Sequence, residues 1–123
     1  MIKQFFLLTV TLLMVSVSTS HAATAKIRGL VTKTVIADEG RWGGCMIKMN
    51  QTLADAGLNC PASWVTFSCS GVYTEKDVAY RMFDQAQMAF ALGREVEVYV
   101  DDKKKHNDYC YGKRINVLRS TSP

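Results

Sequence analysis

The sequence has no CxxC pair, no basic stripe, no internal repeat and, beyond its amino terminus, no long apolar run. Each absence removes a class of function. Without CxxC, a thioredoxin-type redox role has no support. The four cysteines (Cys45, Cys60, Cys69 and Cys110) are 15, 9 and 41 positions apart, without the paired short spacings of a zinc site. The calcium-loop pattern D-x-[DN]-x-[DN]-G is missing, so neither a metal nor another cofactor is expected. Lys and Arg number 15 against 11 Asp and Glu, a formal net charge of +4. The surplus is dispersed, with Arg28, Lys33, Arg41, Lys48, Arg81 and Arg94 interspersed with acids. Nucleic-acid binders carry a stronger basic stripe, so no nucleic-acid partner is expected. No Ser or Cys stands in a recognisable nucleophile context beside an acid and a base. No catalytic residue is therefore assigned, and the chain reads as a non-enzyme.

What is present begins with an export signal. Lys3 supplies a positive start, Phe5 to Val17 an apolar run, and Ser20 and Ala22 the small residues before a cut after Ala22. The run is 13 residues long, against the roughly 20 that a spanning helix needs. An uncleaved anchor is thus the weaker alternative, and membrane insertion is not expected. No cysteine lies at the cut, which argues against a lipoprotein. Residues 1–22 read as a signal peptide and 23–123 as one small exported domain, periplasmic or secreted. An even cysteine count in such a chain reads as two disulfides.

The periodicity along the chain gives five strands and one helix. Lys26 to Asp38 is rich in Thr and Val and suits a long first strand. Glu39 to Gly44 is a glycine-rich turn, and Cys45 to Asn50 returns as the second strand. A long connection (Gln51 to Ser63, with a helical turn over Thr52 to Ala56) leads to a third strand, Trp64 to Ser70, with Val65 and Phe67 facing the core. Thr74 is the expected N-cap of a helix carrying Val78, Met82, Ala86, Ala89 and Phe90 as its apolar stripe, ended by Gly93. Its alanine face (Ala79, Ala86, Ala89) reads as intrachain packing. Glu95 to Val100 and Lys113 to Leu118 form the last two strands, and Ser120 to Pro123 a tail.

One helix between the third and fourth strands matches the OB-fold, a mainly β, five-stranded Greek-key barrel. In that barrel the second strand is antiparallel to the third, and the third parallel to the fifth. Pairing Asn50 with Trp64 puts Cys45 opposite Cys69. Cys60 and Cys110 each precede a strand core by four residues, at Trp64 and Arg114. These alignments favour Cys45–Cys69 with Cys60–Cys110; Cys45–Cys60 with Cys69–Cys110 is the rival.

Two stretches draw attention as ligand-contacting candidates. DDKKKHND (Asp101 to Asp108) offers carboxylates and His106, but three adjacent lysines oppose a divalent ion. It reads as a solvated hairpin loop anchored by Cys110. Trp42, amid glycines at a hairpin tip, is either a recognition aromatic or a cap folded over the barrel end. Tyr109 and Tyr111 point to one side, opposite Cys110. With Tyr73, Lys103 and Asn107 they make a candidate polar-aromatic patch. The plainer reading of the tyrosines is packing beside a disulfide.

The helix-to-strand segment AYRMFDQAQMAFALGREVEVYV and the pattern C-x-G-x-R-I-x-V at Cys110 to Val117 (CYGKRINV) carry a resemblance. Over roughly residues 64–118 the chain resembles the B subunits of AB5-type bacterial toxins, the subtilase-cytotoxin and typhoid-toxin-like branch above all. It is also similar to small exported Gram-negative proteins of unknown function. The toxin resemblance implies a secreted OB-fold that binds cell-surface glycans and forms a homo-oligomer, a pentameric ring. It carries over no binding residue. The partner is accordingly expected to be a glycan or, in the alternative reading, another protein bound by a monomeric domain.

Overall fold

The computed structural model describes residues 24–119. The expected signal segment (1–22) and the tail (120–123) lie outside the described residues. Five strands and one helix follow the expected order: β1 (Thr24–Ile36), β2 (Cys45–Met49), β3 (Trp64–Thr66), α1 (Lys76–Leu92), β4 (Glu95–His106) and β5 (Tyr109–Val117). They close into a barrel in the order β1-β2-β3-β5-β4. β1 is long enough to serve two neighbours. Thr24 to Leu30 pairs with β4 and Val31 to Ile36 with β2, both antiparallel. β3 and β5 are parallel, and the remaining pairs antiparallel. This is the OB-fold arrangement, mainly β with one helix.

Alternation sets the core. Ile27, Val31, Ile47, Val65, Phe67, Val96, Val98 and Val100 are buried inside the barrel, and α1 packs onto it through Ala79, Met82, Phe83, Ala86 and Ala89. The alanine face is thus intrachain packing. The expected stripe was rotated, however. Val78 and Phe90 are 40% and 48% exposed, and Ala79 and Phe83 take the buried places. At 100° per residue the buried stripe centres near Ala79 and Ala86, which leaves Val78 on its edge; Phe90 shares the stripe's phase but lies in the last turn of α1, where it is exposed. Thr74 is not the N-cap either. Glu75 holds that position without a side-chain capping bond, and the Thr74 side chain is engaged with Tyr111. Gly93 ends the helix at φ +64°, as expected.

The strand ends correct several further expectations. β4 does not stop at Val100. Its chain continues as strand through His106 and turns at Asn107 and Asp108, both at positive φ (50° and 71°). Two consecutive left-handed residues are what a tight hairpin turn requires, and Asn and Asp adopt that conformation most readily after glycine. Asp101 to His106 is therefore strand, bulged between Asp101 and Lys105, and not a loop, and β5 starts at Tyr109, four residues earlier than Lys113. β3 is shorter than expected, ending at Thr66 instead of Ser70.

Both disulfides are the favoured ones, Cys45–Cys69 and Cys60–Cys110. The alignments that suggested them were wrong. Lys48, not Asn50, stands opposite Trp64. Asn50 is engaged with β1 instead, its N–H donating to the Leu30 carbonyl at 3.0 Å. The β2–β3 slip is two residues, which keeps every side chain on its face, so Val65 and Phe67 point inward as expected. Cys45 thus lies beside Phe67, and a turn at Ser68 (φ +62°) brings Cys69 back to it. On the parallel side, Cys110 itself aligns with Val65. Cys60 reaches it because Asn59 is pinned to β4: its N–H donates to Asp102 at 3.0 Å and its carbonyl accepts from Lys105 Nζ at 2.6 Å.

Candidate functional site

Three chain segments meet at one end of the barrel: the β1–β2 turn, the residues after β3, and the β4–β5 hairpin tip. Trp42 to Gly44 forms a single 3-10 turn. The Trp42 N–H donates to Asn107 Oδ1 at 2.8 Å, which ties the first turn to the hairpin tip. The Thr66 hydroxyl lies 2.7 Å from the Trp42 carbonyl and accepts the Ser68 N–H. Ser68 Oγ in turn accepts the Tyr73 N–H at 3.1 Å and lies 2.9 Å from His106 Nε2. The Tyr73 hydroxyl donates to the Lys105 carbonyl at 2.7 Å and accepts the Lys105 N–H. Its ring packs on His106 and Tyr111, with centroids 4.8 and 5.5 Å away. These bonds run from Trp42 through Thr66, Ser68 and Tyr73 to Lys105, and the chain from Lys105 to Asn107 returns them to Trp42.

Burial gives this circuit its electrostatics. Thr66 and Ser68 are fully buried, and burial holds the His106 imidazole below its ordinary pKa of 6.5. The same cause raises the Tyr111 phenol above 10.0. A Cβ at Gly43 would meet His106 Cδ2 at 2.5 Å and Thr66 Oγ1 at 2.6 Å, so only glycine leaves room for the imidazole here. Ser68 and His106 resemble the nucleophile and base of a catalytic triad. Ser68 is sealed from solvent and already accepts a backbone N–H, so the hydrogen bond acts as a latch between two loops.

A second feature lies on the outer face beside this seam. Lys33 stands directly opposite Lys48, and Lys48 directly opposite Trp64, in one cross-strand row. Both ammoniums sit over the indole, 5.8 and 5.9 Å from its centroid. Thr66, two residues beyond Trp64 on the same strand face, joins the row to the latch. The two lysines thus flank the Trp64 side chain. The β3–β5 register sets Tyr109 next to Trp64 on the adjacent strand, on the outer face.

The expected patch residues are therefore divided. Trp42, Tyr73, Asn107 and Tyr111 come together in the circuit, and Tyr111 is buried at 5% exposure. Tyr109 is half-buried and belongs with the Trp64 row. Lys103 lies apart on the exposed bulge of β4, its N–H bonded to Asp101. The sequence reading missed Thr66, Ser68 and His106 as a unit, and Lys33, Lys48 and Trp64 as a row. The alternation of Trp64, Thr66 and Ser68 on one face was the available signal. No protein-family model, curated protein or solved structure matches the chain.

Proposed function

We propose that the protein is an exported, disulfide-stabilised binding module that takes an acidic glycan on the outer face of β1, β2 and β3. The observation that carries this reading is the Lys33–Lys48–Trp64 row. Like charges directly opposite in a sheet are destabilising, and neither lysine forms an ion pair among the described residues. An anionic group between them would relieve that repulsion. The indole supplies the flat apolar face on which a sugar ring stacks, with Tyr109 beside it and Trp42 and Asn107 at the border. OB-folds use this region, the second and third strands with the loops at their ends, for oligosaccharides. The toxin-B-subunit resemblance supports the same ligand class.

Calorimetric titration with sialyllactose and lactose tests it. Sialyllactose is expected to bind and lactose more weakly. Lys33→Ala and Lys48→Ala should each weaken sialyllactose in a salt-dependent way, because exposed charges are screened within about 8–10 Å. Trp64→Ala should weaken both sugars at any salt. Equal affinities for the two sugars, unmoved by Lys48→Ala, would sink the acidic-glycan reading.

A protein-binding domain is the second reading. It is favoured by Ile36, Val72 and Leu92, apolar side chains 65%, 65% and 64% exposed. Light scattering on the purified protein separates its forms: a mass of five protomers supports a ring and a single-protomer mass a free domain.

A further inference from the structure

A cavity of about 440 Å³ opens where β1, the turn after β2 and the end of α1 meet, lined in part by Arg28, Asn50, Gln51, Arg94, Glu95 and Arg119. Small-molecule sites span roughly 300–1,000 Å³, so the space is large enough to hold a ligand. Its lining is cationic, three arginines against one acid. Arg28 Nε donates to Glu95 Oε2 at 3.1 Å, which occupies that acid. Arg94 and Arg119 enter no ion pair among the described residues. The negative end of the α1 dipole accounts for a cation at Arg94, directly after the helix. It does not account for the others.

The uncharged wall is built as a donor. The Leu30 N–H donates to Asn50 Oδ1 at 2.8 Å, while the Asn50 N–H returns to the Leu30 carbonyl. The amide oxygen is thereby committed to β1, and the NH₂ is the side-chain group left to bond outward. A Cβ at position 29 would fall 2.3 Å from that oxygen, so the bare backbone of Gly29 is what lets the amide lie against the strand. Guanidinium forks and an amide NH₂ offer donors only, and guanidinium geometry suits two-oxygen anions.

We infer that this cavity is a second ligand site, distinct from the Trp64 face, that binds a small doubly charged oxyanion. The net lining charge of three arginines and one glutamate matches two negative charges. A phosphate monoester and a dicarboxylate both present that chemistry.

The test is amide NMR of the disulfide-intact protein titrated with inorganic phosphate and with succinate, ionic strength being held with sodium chloride. Either anion should shift Gly29, Asn50 and Arg94 saturably, and the one that does identifies the source. The combined Arg94→Gln and Arg119→Gln variant should bind about tenfold or more weakly, the loss expected of a charge-assisted hydrogen bond, with an unchanged melting temperature. Glu95→Gln, which releases Arg28, should bind more tightly, and Trp64→Ala should leave the titration unmoved. No saturation by either anion, an equal response to chloride, or full affinity in the arginine variant would overturn the site.

Discussion

His106 and Ser68, 38 positions apart, share a hydrogen bond of 2.9 Å that joins the β4–β5 tip to the turn after β3. Burial lowers the imidazole pKa, so the unfolded chain binds this proton more readily than the folded one. The stability linked to His106 is present in full above the unfolded value near 6.5 and is lost as pH falls through the lower folded value. Melting temperatures measured across that window should fall on the acid side in the native protein. His106→Gln should flatten that part of the curve, and an identical slope in the variant would mean another group is responsible.

Gly43 and Gly57 both hold positive φ, 71° and 80°, but only Gly43 has neighbours where a Cβ would go. Gly57→Ala should cost about 1 kcal/mol from backbone strain alone. Gly43→Ala adds a clash with His106 and Thr66, and about 2–3 kcal/mol in total is expected. Urea unfolding of the two variants reads the difference directly.

Position along α1, not phase, separates two phenylalanines that share a helix face. Phe83 is 2% exposed and Phe90 48%. Phe83→Ala should therefore cost about 3–5 kcal/mol, and Phe90→Ala under about 1 kcal/mol. Ala86→Asp places a charge at a fully buried position and should prevent folding. Similar losses for the two phenylalanines would show that the last turn of α1 packs as closely as its middle.

Replacing either disulfide by alanines should destabilise the domain by about 3–4 kcal/mol, slightly more for the longer loop. The loops close over separations of 24 and 50. Denaturant midpoints of the two double variants give the order.

The strand order was legible because apolar alternation and the helical stripe are local signals, and a two-residue slip does not change the face of Val65 or Phe67. The register was not, because Asn50 leaves β2 to bond Leu30, a choice made between distant strands. The length of the hairpin's strands was missed for a different reason. Asp101 to His106 is charged and partly exposed, and its Asn107–Asp108 turn lacks the glycine that usually marks such a corner. Lys33 was hidden by a bulge: Val31 pairs with Met49, yet Lys33 pairs with Lys48. The extra residue aims Lys33 outward, where simple alternation from the buried Val31 would have turned it to the core. The tyrosine patch was half legible, since the reading placed Tyr73 near Tyr111 but not the burial that follows from their stacking.

The two bridges interleave along the chain, first cysteine to third and second to fourth. An oxidant acting on the nascent chain in order of synthesis meets Cys45 and Cys60 before either has its partner, so the earliest crosslink it can close is a non-native one. Reaching the final pattern then takes attack by the Cys69 thiolate on the Cys45 sulfur, which frees Cys60 to await Cys110 in β5. Disulfide reshuffling then joins oxidation as a step of maturation, on a scale of seconds to hours, and a second oxidation closes Cys60–Cys110. Thiol trapping during vectorial oxidation should capture Cys45–Cys60 first. If Cys45–Cys69 forms first instead, pairing of β2 with β3 precedes the chemistry, and the barrel acts as template for its own crosslinks.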